Sequence, residues 1–210
     1  MGTDFDTAAQ ALVAAGQFLA RQGWAPATSG NYSARLQGDR IAITVSGRHK
    51  GQLTPADIMV VTRDGQPVTP GQKSSAETLL HTHLYRDIPQ VGAVLHTHSI
   101  PCVTLSRWLL QRGQDTLRLT NYELLKAFPG ITTHDVEVAI PIVANSQDMV
   151  RLSAVVQGRL QRVEPPVGYI IAGHGLYSWG ATVAQALMAT EALEVLVSCA
   201  LQEQLLSHTQ

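Results

Sequence analysis

The chain has 210 residues, of which 45% are hydrophobic and 15% charged, and its formal net charge is -1. A chain of this length and apolar content buries a core, which excludes global disorder and favours a single domain over residues 1–210. The 15 basic residues are balanced by 16 acidic ones, so no cationic excess is left to bind a polyphosphate and nucleic acid is not an expected partner.

Helix and strand patterns alternate along the chain and predict one α/β domain, a sheet covered by helices with several antiparallel pairs. Asp64-Gly65 predicts a tight turn, and Pro141 predicts that its strand is an edge strand or contains a bulge. In chain order, the pattern predicts a helix capped at Asp6 or Thr7 that ends at Arg21, strands at 40–45 and 57–62, a helix at 74–86, a strand at 91–96, a helix at 101–110, a strand at 136–143, a helix at 147–157, strands at 168–172 and 176–179, and a last helix at 182–206.

The cysteines and the N-terminal segment bear on the compartment. Cys102 and Cys199 form no CxxC pair, and two cysteines cannot supply a disulfide framework for this length, so a reducing compartment is expected. Acidic residues open the chain and Gln10 interrupts its first apolar run, which is untypical of a signal peptide. No uncharged apolar stretch reaches the roughly 18 residues that span a bilayer. We therefore expect a cytoplasmic protein without a membrane partner.

Two histidine pairs have the same spelling but different contexts. His96-Thr97-His98 ends a predicted strand, in which residues two apart point to one face and can bind one ion. Neutral imidazole suits Zn²⁺ or another divalent transition metal, and the alternative is an ordinary pair of histidines. His81-Thr82-His83 lies in a predicted helix, where positions two apart diverge by about 200°. We expect one surface histidine and one packed or interface histidine there.

His174 is the natural third ligand, because Gly173 and Gly175 on either side let its ring project from a tight turn. Three histidines with an open fourth position are typical of a catalytic metal site, since structural sites are usually closed by four protein ligands. The alternative is a hairpin histidine exposed to solvent.

Small polar turns supply candidate donors for an anion, although the chain contains no standard phosphate-binding loop. Backbone N–H groups at glycine turns and at a helix start are ready anion donors. Each turn has a purely structural alternative, and residues 74–77 also spell a capping box that ends at Glu77. The turns are Thr28-Ser29-Gly30-Asn31, Ser46-Gly47 and Ser74-Ser75, and the basic residues Arg48 and Lys50 follow the second.

Taken together, these motifs resemble the class II aldolase family, the group of zinc-dependent aldolases, epimerases and dehydratases. They occur in the family's order, and the match covers the chain from about residue 8 to about residue 205. Within the family, four segments look most like those of the dehydratases. These segments are Ser46–Gly51, Ser75–Thr78, His96–Ser99 and His174–Gly180.

The resemblance implies a three-layer α/β/α sandwich around a mainly antiparallel sheet. It also implies a homotetramer with active sites at subunit contacts and one Zn²⁺ per subunit. His96, His98 and His174 would be the zinc ligands. The phosphate of a sugar-phosphate substrate would contact Gly30, Asn31, Ser46, Gly47 and Ser75.

The implied activity is the removal of water from a phosphorylated ketose that carries a methylthio group. One departure concerns aldolases of the family, which usually show Ser-Ser-Glu where this chain has Ser75-Ala76-Glu77. An aldolase or epimerase acting on another ketose phosphate, such as fuculose or ribulose phosphate, shares the same sites and is the alternative. A non-catalytic metal-binding or assembly protein is a further alternative, which the two candidate acids near the motifs disfavour.

Two glutamates are candidates for acid–base catalysis. The resemblance matches Glu77 to the glutamate of the aldolases and Glu123 to the proton shuttle of the dehydratases. We therefore place Glu123 first, with Glu77 as a metal-site group or second acid–base group. The alternatives are that Glu77 only completes a capping box and that Glu123 only pairs with Lys126 on a helix face.

Overall fold

The computed structural model describes residues 2–207. Its strands form one mixed sheet in which each neighbouring pair is antiparallel except the sixth and seventh strands. The strands are β1 (Asn31–Arg35), β2 (Arg40–Thr44), β3 (Ile58–Thr62), β4 (Ala93–Thr97), β5 (Thr116–Thr120), β6 (Glu137–Val143), β7 (Gly168–Ile171) and β8 (Gly175–Gly180). Their order across the sheet is β3-β2-β1-β4-β8-β7-β6-β5, which confirms the mainly antiparallel sheet.

Helices cover both faces of this sheet, which confirms the α/β fold. Helices α2 (Thr78–Asp87) and α4 (Met149–Leu160) pack on one face around a buried cluster that includes Tyr85 and Tyr177. The other face is covered by α1 (Phe5–Arg21), α3 (Ile100–Gln111) and α5 (Val183–Ser207). Short 3-10 turns occupy Lys50–Gln52, Pro55–Asp57 and Glu123–Ala127.

The centre of the sheet sets the row of side chains on which the site is built. In the antiparallel register of β4, His96 lies opposite Asn31 of β1 and opposite Tyr177 of β8. Directly opposed residues project to the same face of a sheet. The rings of His96 and Tyr177 accordingly stack with centroids 3.9 Å apart, on the face that carries α2.

Two helix starts differ from the sequence-based prediction. Helix α1 ends at Arg21 as predicted, but its cap is Asp4, whose carboxylate accepts from the N–H of Thr7. Helix α2 begins at Thr78, and the structural alternative of a capping box is wrong because Glu77 makes no side-chain cap hydrogen bond. Ser75 Oγ instead accepts from the backbone N–H of Glu77 at 3.2 Å. The Glu77 carboxylate is therefore free to face the sheet.

The prediction that the strand around Pro141 is an edge strand or contains a bulge is wrong, because its register with β5 is unbroken from Glu137 to Pro141. Strand β6 is interior, because β5 pairs with it on one side and β7 on the other. Pro141 lies opposite Thr116 of β5, and the pairing with β7 begins one residue later, at Ile142. The missing N–H of this proline thus coincides with the point at which the second partner strand begins. The sequence pattern did not indicate β5 or β1.

Among the described residues, α5 alone has the length and hydropathy of a membrane-spanning helix. In this fold one side of the helix is buried against the sheet and α3, with Leu193 and Leu196 in the cluster that also contains Leu105. Packing against these layers accounts for the apolar residues on that side of the helix.

Candidate metal centre and anion pocket

Three imidazoles converge where β4 ends beside the turn between β7 and β8. The Nε2 atoms of His96 and His98 lie 2.8 Å apart, and those of His96 and His174 lie 3.3 Å apart. One ligand atom from each of the three residues lies within 4.8 Å of the others. The structure thus brings together the three predicted ligands, whereas His81 and His83 do not belong to this cluster.

The donor set of this triad suits a divalent transition metal. Tetrahedral zinc with Zn–N distances of about 2.05 Å separates its nitrogen ligands by about 3.3 Å. The Nδ1 atom of His96 lies 2.9 Å from the carbonyl oxygen of Leu176; it donates there and leaves the Nε2 lone pair for a metal. Burial lowers the pKa of His96 far below its usual value, and burial and the charge of His174 lower the pKa of His98 to about 4. These two rings are therefore neutral, as metal ligation requires.

Two glycines let the backbone approach closely enough to build the triad. A Cβ atom at Gly175 would lie 2.0 Å from the carbonyl oxygen of Thr97. A Cβ atom at Gly30, whose φ is +79°, would lie 2.6 Å from the carbonyl oxygen of His96. Any larger residue at either position would push a neighbouring segment away from β4.

The Glu77 carboxylate lies against the imidazoles. Its Oε1 atom is 2.9 Å from Nε2 of His174, and its Oε2 atom is 3.6 Å from Nε2 of His96. The side-chain amide of Asn31 and the hydroxyl of Tyr177 donate to Oε2. Burial alone would raise the pKa of Glu77, but the hydrogen bonds from His174 and from the Asn31 amide outweigh it and lower that pKa. Glu77 is therefore an ionised group within reach of the triad.

Glu123 lies in a different environment. Its side chain is 71% exposed and forms an ion pair with Lys126, as in the alternative in which Glu123 only pairs with that lysine. Its Oε2 atom lies 3.7 Å from Nδ1 of His134. Within residues 2–207, no contact joins Glu123 to the triad. The hydrogen bond from Lys126 holds the pKa of Glu123 below its usual value.

A pocket of about 180 Å³ adjoins the triad and contains all the residues predicted to contact phosphate, with His98 and Glu77 in its wall. Lys50 also lines it and is 1% exposed. Its Nζ atom donates to the carbonyl oxygens of Thr28 and Arg48, at 2.9 and 2.7 Å. Burial lowers the pKa of Lys50 to about 8, although the charge of Glu77 acts in the opposite direction. The five predicted contacts in the pocket are Gly30, Asn31, Ser46, Gly47 and Ser75.

Arg48, the other basic residue of this turn, points elsewhere. Its Nε atom lies 3.1 Å from a carboxylate oxygen of Asp57, and 59% of its side chain is exposed. Lys50 is therefore the basic side chain that lines the pocket. The sequence pattern does not separate the two cations, because a turn does not reveal which side chain folds inward.

Two further residues at the site were not among the predicted site residues. Tyr177 donates to Glu77 at 3.2 Å, and its place follows only from the pairing of β8 with β4. His81 is fully buried and bonds to Asn31 and Ser33. For the pair His81 and His83, one packed or interface histidine and one surface histidine were predicted. His81 is the packed one, and His83 is half-buried.

Comparisons with known proteins agree with this geometry. The chain is 52% identical over 200 residues to methylthioribulose-1-phosphate dehydratase of Marinobacter nauticus, covering 95% of each chain. It is 52% identical over 193 residues to the enzyme of that name from Pseudomonas aeruginosa strain PAO1, covering 92% of this chain and 93% of that one. Among solved structures, l-fuculose-1-phosphate aldolase from Thermus thermophilus matches with a TM-score of 0.75 and 25% identity over 96% of each chain.

A second solved structure, YgbL from Klebsiella pneumoniae, a putative aldolase/epimerase/decarboxylase, matches with a TM-score of 0.77 and 24% identity. The match covers 93% of this chain and 89% of that one, and it supports the fold. Residues 10–201 match the family described as Class II Aldolase and Adducin N-terminal domain. The chain belongs to this class II aldolase family.

Proposed function

We propose that this chain dehydrates 5-methylthioribulose 1-phosphate to 2,3-diketo-5-methylthiopentyl 1-phosphate, a step of methionine salvage. The observation that carries the proposal is the joining of a donor-lined anion pocket to a three-histidine centre through His98 and Glu77. A ketose 1-phosphate needs this arrangement, because its carbonyl lies one carbon from its phosphate. The name shared by relatives that are 52% identical supports the particular substrate.

In this proposal the phosphate lies on the turns at Gly30-Asn31 and Ser46-Gly47 and beside Ser75, where backbone N–H groups and small polar side chains line the pocket. The Lys50 ammonium adds a buried positive charge beside them. Charge-assisted hydrogen bonds of this kind are short and strong. They would fix the sugar with its carbonyl towards the histidines.

His96, His98 and His174 hold one Zn²⁺ per subunit in this proposal. Bound there, zinc supplies a Lewis acid that acidifies the C3 proton next to the ketose carbonyl. Three imidazole ligands leave a coordination position open for substrate, as in catalytic zinc sites. The Glu77 carboxylate, 2.9 Å from Nε2 of His174 and 3.6 Å from Nε2 of His96, would lie beside the metal.

Dehydration needs a base for the C3 proton and an acid for the C4 hydroxyl that leaves as water. We assign this proton shuttle to Glu123, with Glu77 as the group at the metal. Because Glu123 is exposed and outside the triad within one subunit, it would act in the site of a neighbouring subunit. This assignment requires active sites at subunit contacts, which we propose are those of a homotetramer. The working partners are then the substrate and further copies of the chain in the cytoplasm, without nucleic acid or membrane.

The proposed function is tested by incubating the zinc-loaded protein with 5-methylthioribulose 1-phosphate. We expect a product lighter by one water, detected by mass spectrometry, because C3–H and C4–OH are lost together. Cleavage of fuculose 1-phosphate into two fragments, or inversion of ribulose phosphate, with no dehydration, would support the aldolase or epimerase instead. A loaded protein that turns over none of these substrates would indicate a non-catalytic role.

Single alanine substitutions at His96, His98 and His174 are each expected to abolish most bound metal, because each removes one of three protein ligands. Elemental analysis of purified variants measures this loss and identifies the metal. Matched controls are His81→Ala and His83→Ala, which remove histidines outside the cluster and are expected to retain metal. Metal content that followed the 81/83 pair would contradict the ligand assignment.

Ser75→Asp is expected to raise KM by about tenfold or more while zinc remains bound. Two like charges about 4 Å apart repel by about 4 kcal/mol at the effective dielectric of a protein surface, and Ser75 lines the proposed phosphate pocket. Steady-state kinetics with metal analysis provides the measurement. Ser74→Asp is the control, since it adds the same charge at a neighbouring position outside the pocket lining. An unchanged KM for Ser75→Asp would place the phosphate elsewhere.

Glu123→Gln is expected to lower kcat by about 10²–10⁴-fold with zinc retained, the usual contribution of a general acid–base group. The control is Lys126→Gln, which breaks the same ion pair and leaves the carboxylate in place. If Glu123 served only that pair, the two variants would behave alike. Near-normal kcat for Glu123→Gln together with an inactive, zinc-bound Glu77→Gln would reverse the roles of the two glutamates.

A further inference from the structure

A chain of buried side-chain hydrogen bonds runs from Glu77 into the sheet. The Asn31 amide bonds Glu77 through Nδ2 and His81 through Oδ1. The Nδ1 atom of His81 lies 2.7 Å from Ser33 Oγ, which lies 2.8 Å from the Tyr85 hydroxyl. The four residues behind Glu77 are each at most 5% exposed. Asn31 borders the pocket beside the triad, but water cannot easily replace a missing partner at His81, Ser33 or Tyr85.

The donors and acceptors along these hydrogen bonds are consistent with donation in one direction, from Tyr85 towards Ser33 and on to Glu77. A carboxylate only accepts, so Asn31 presents its NH₂ group to Glu77 and its carbonyl oxygen to His81. Nε2 of His81 must then carry the proton, and Nδ1 must accept from the Ser33 hydroxyl. The oxygen of Ser33 in turn accepts from Tyr85. A neutral imidazole, with one donor and one acceptor, satisfies both neighbours, and burial lowers the pKa of His81 to about 4, which keeps it neutral.

We propose that His81 is a positioning residue that, through its Nε2–H, holds the Asn31 side chain with the NH₂ group towards Glu77. His81 is not in the wall of the anion pocket and is not one of the three clustered ligands. It therefore acts through Asn31, which both lines that pocket and bonds the carboxylate. The effect of His81 on turnover rests on the proposed function, whereas the direction of the hydrogen bond between His81 and Asn31 does not.

The shape of the asparagine amide explains why a positioning residue is needed. Its oxygen and nitrogen ends are nearly equal in size, so packing alone does not choose between them. In the flipped orientation, Oδ1 of Asn31 would face Oε2 of Glu77, and two buried acceptors would repel. The Glu77 carboxylate on one side and a donor on the far side of Asn31 together favour the other orientation. Nε2 of His81 is the partner of Oδ1 there.

The direction is tested by ¹⁵N NMR of the zinc-loaded protein labelled at histidine. We expect the His81 ring to show a protonated Nε2 and an unprotonated Nδ1, with its signals assigned by their loss in His81→Gln. A ring protonated at Nδ1 would overturn the proposal, since Asn31 would then be reversed. This measurement needs no turnover, so its failure is distinguishable from failure of the proposed dehydration.

The consequence is tested with two variants. His81→Leu leaves Asn31 Oδ1 without its donor and the Ser33 hydroxyl without its acceptor, although Ser33 Oγ still bonds Tyr85. We expect kcat for 5-methylthioribulose 1-phosphate to fall by about 10–100-fold, the order of the loss when a residue that supports a metal site is removed. His81→Gln restores one donor and one acceptor and is expected to recover most of that loss. A merely space-filling histidine would predict no such rescue.

Control measurements separate positioning from folding. His83→Leu changes the half-buried histidine of the same helix and is expected to keep normal kcat, while metal content and thermal unfolding are followed for all three variants. Normal kcat in His81→Leu, or equal loss in the Leu and Gln variants, would overturn the proposal. If His81→Leu does not fold, the tautomer measured in the unsubstituted protein decides the question.

Discussion

Strand β4 lies between β1 and β8, and its antiparallel register sets His96 directly between Asn31 and Tyr177. The period of two along a strand makes this constraint strict, because a slip of one residue turns every side chain to the opposite face. The opposite face carries Thr97, whose hydroxyl donates to the buried Glu194 of α5. A shifted register would thus place a histidine against a buried acid and remove the row that meets Glu77.

Glu77 joins the two layers that this register brings together. It precedes α2, and its carboxylate reaches back to β1, β8 and the turn that carries His174. Burying a carboxylate without partners costs several kcal/mol, so the fold supplies an amide, a hydroxyl and imidazoles on one small group. The same requirement explains why Glu77 does not cap α2, since one carboxylate cannot satisfy both demands.

Local patterns predicted the parts of the site that lie on one element or in one turn. His96 and His98 follow from strand periodicity, His174 from its flanking glycines, and the turn at Gly30 from its small polar residues. Partners that meet only through strand pairing left no such signal. The place of Tyr177 depends on a register, and that of His81 depends on how α2 packs over β1. The position of Pro141 was mispredicted for the same reason, because its neighbours are set by β5 and β7.

In the proposed mechanism, the site within one subunit contains one of the two glutamates. Enzymes separate acid and base by placing two titratable groups in different environments, and Glu77 is already ionised against the imidazoles. Glu123 is ionised too, but in water and beside Lys126, where it is a poor proton donor. To shuttle a proton, Glu123 must leave that pair and enter a drier environment. A neighbouring subunit that covers residues 123–127 would provide that environment. The proposed catalytic role of Glu123 therefore depends on the assembly of several copies of the chain.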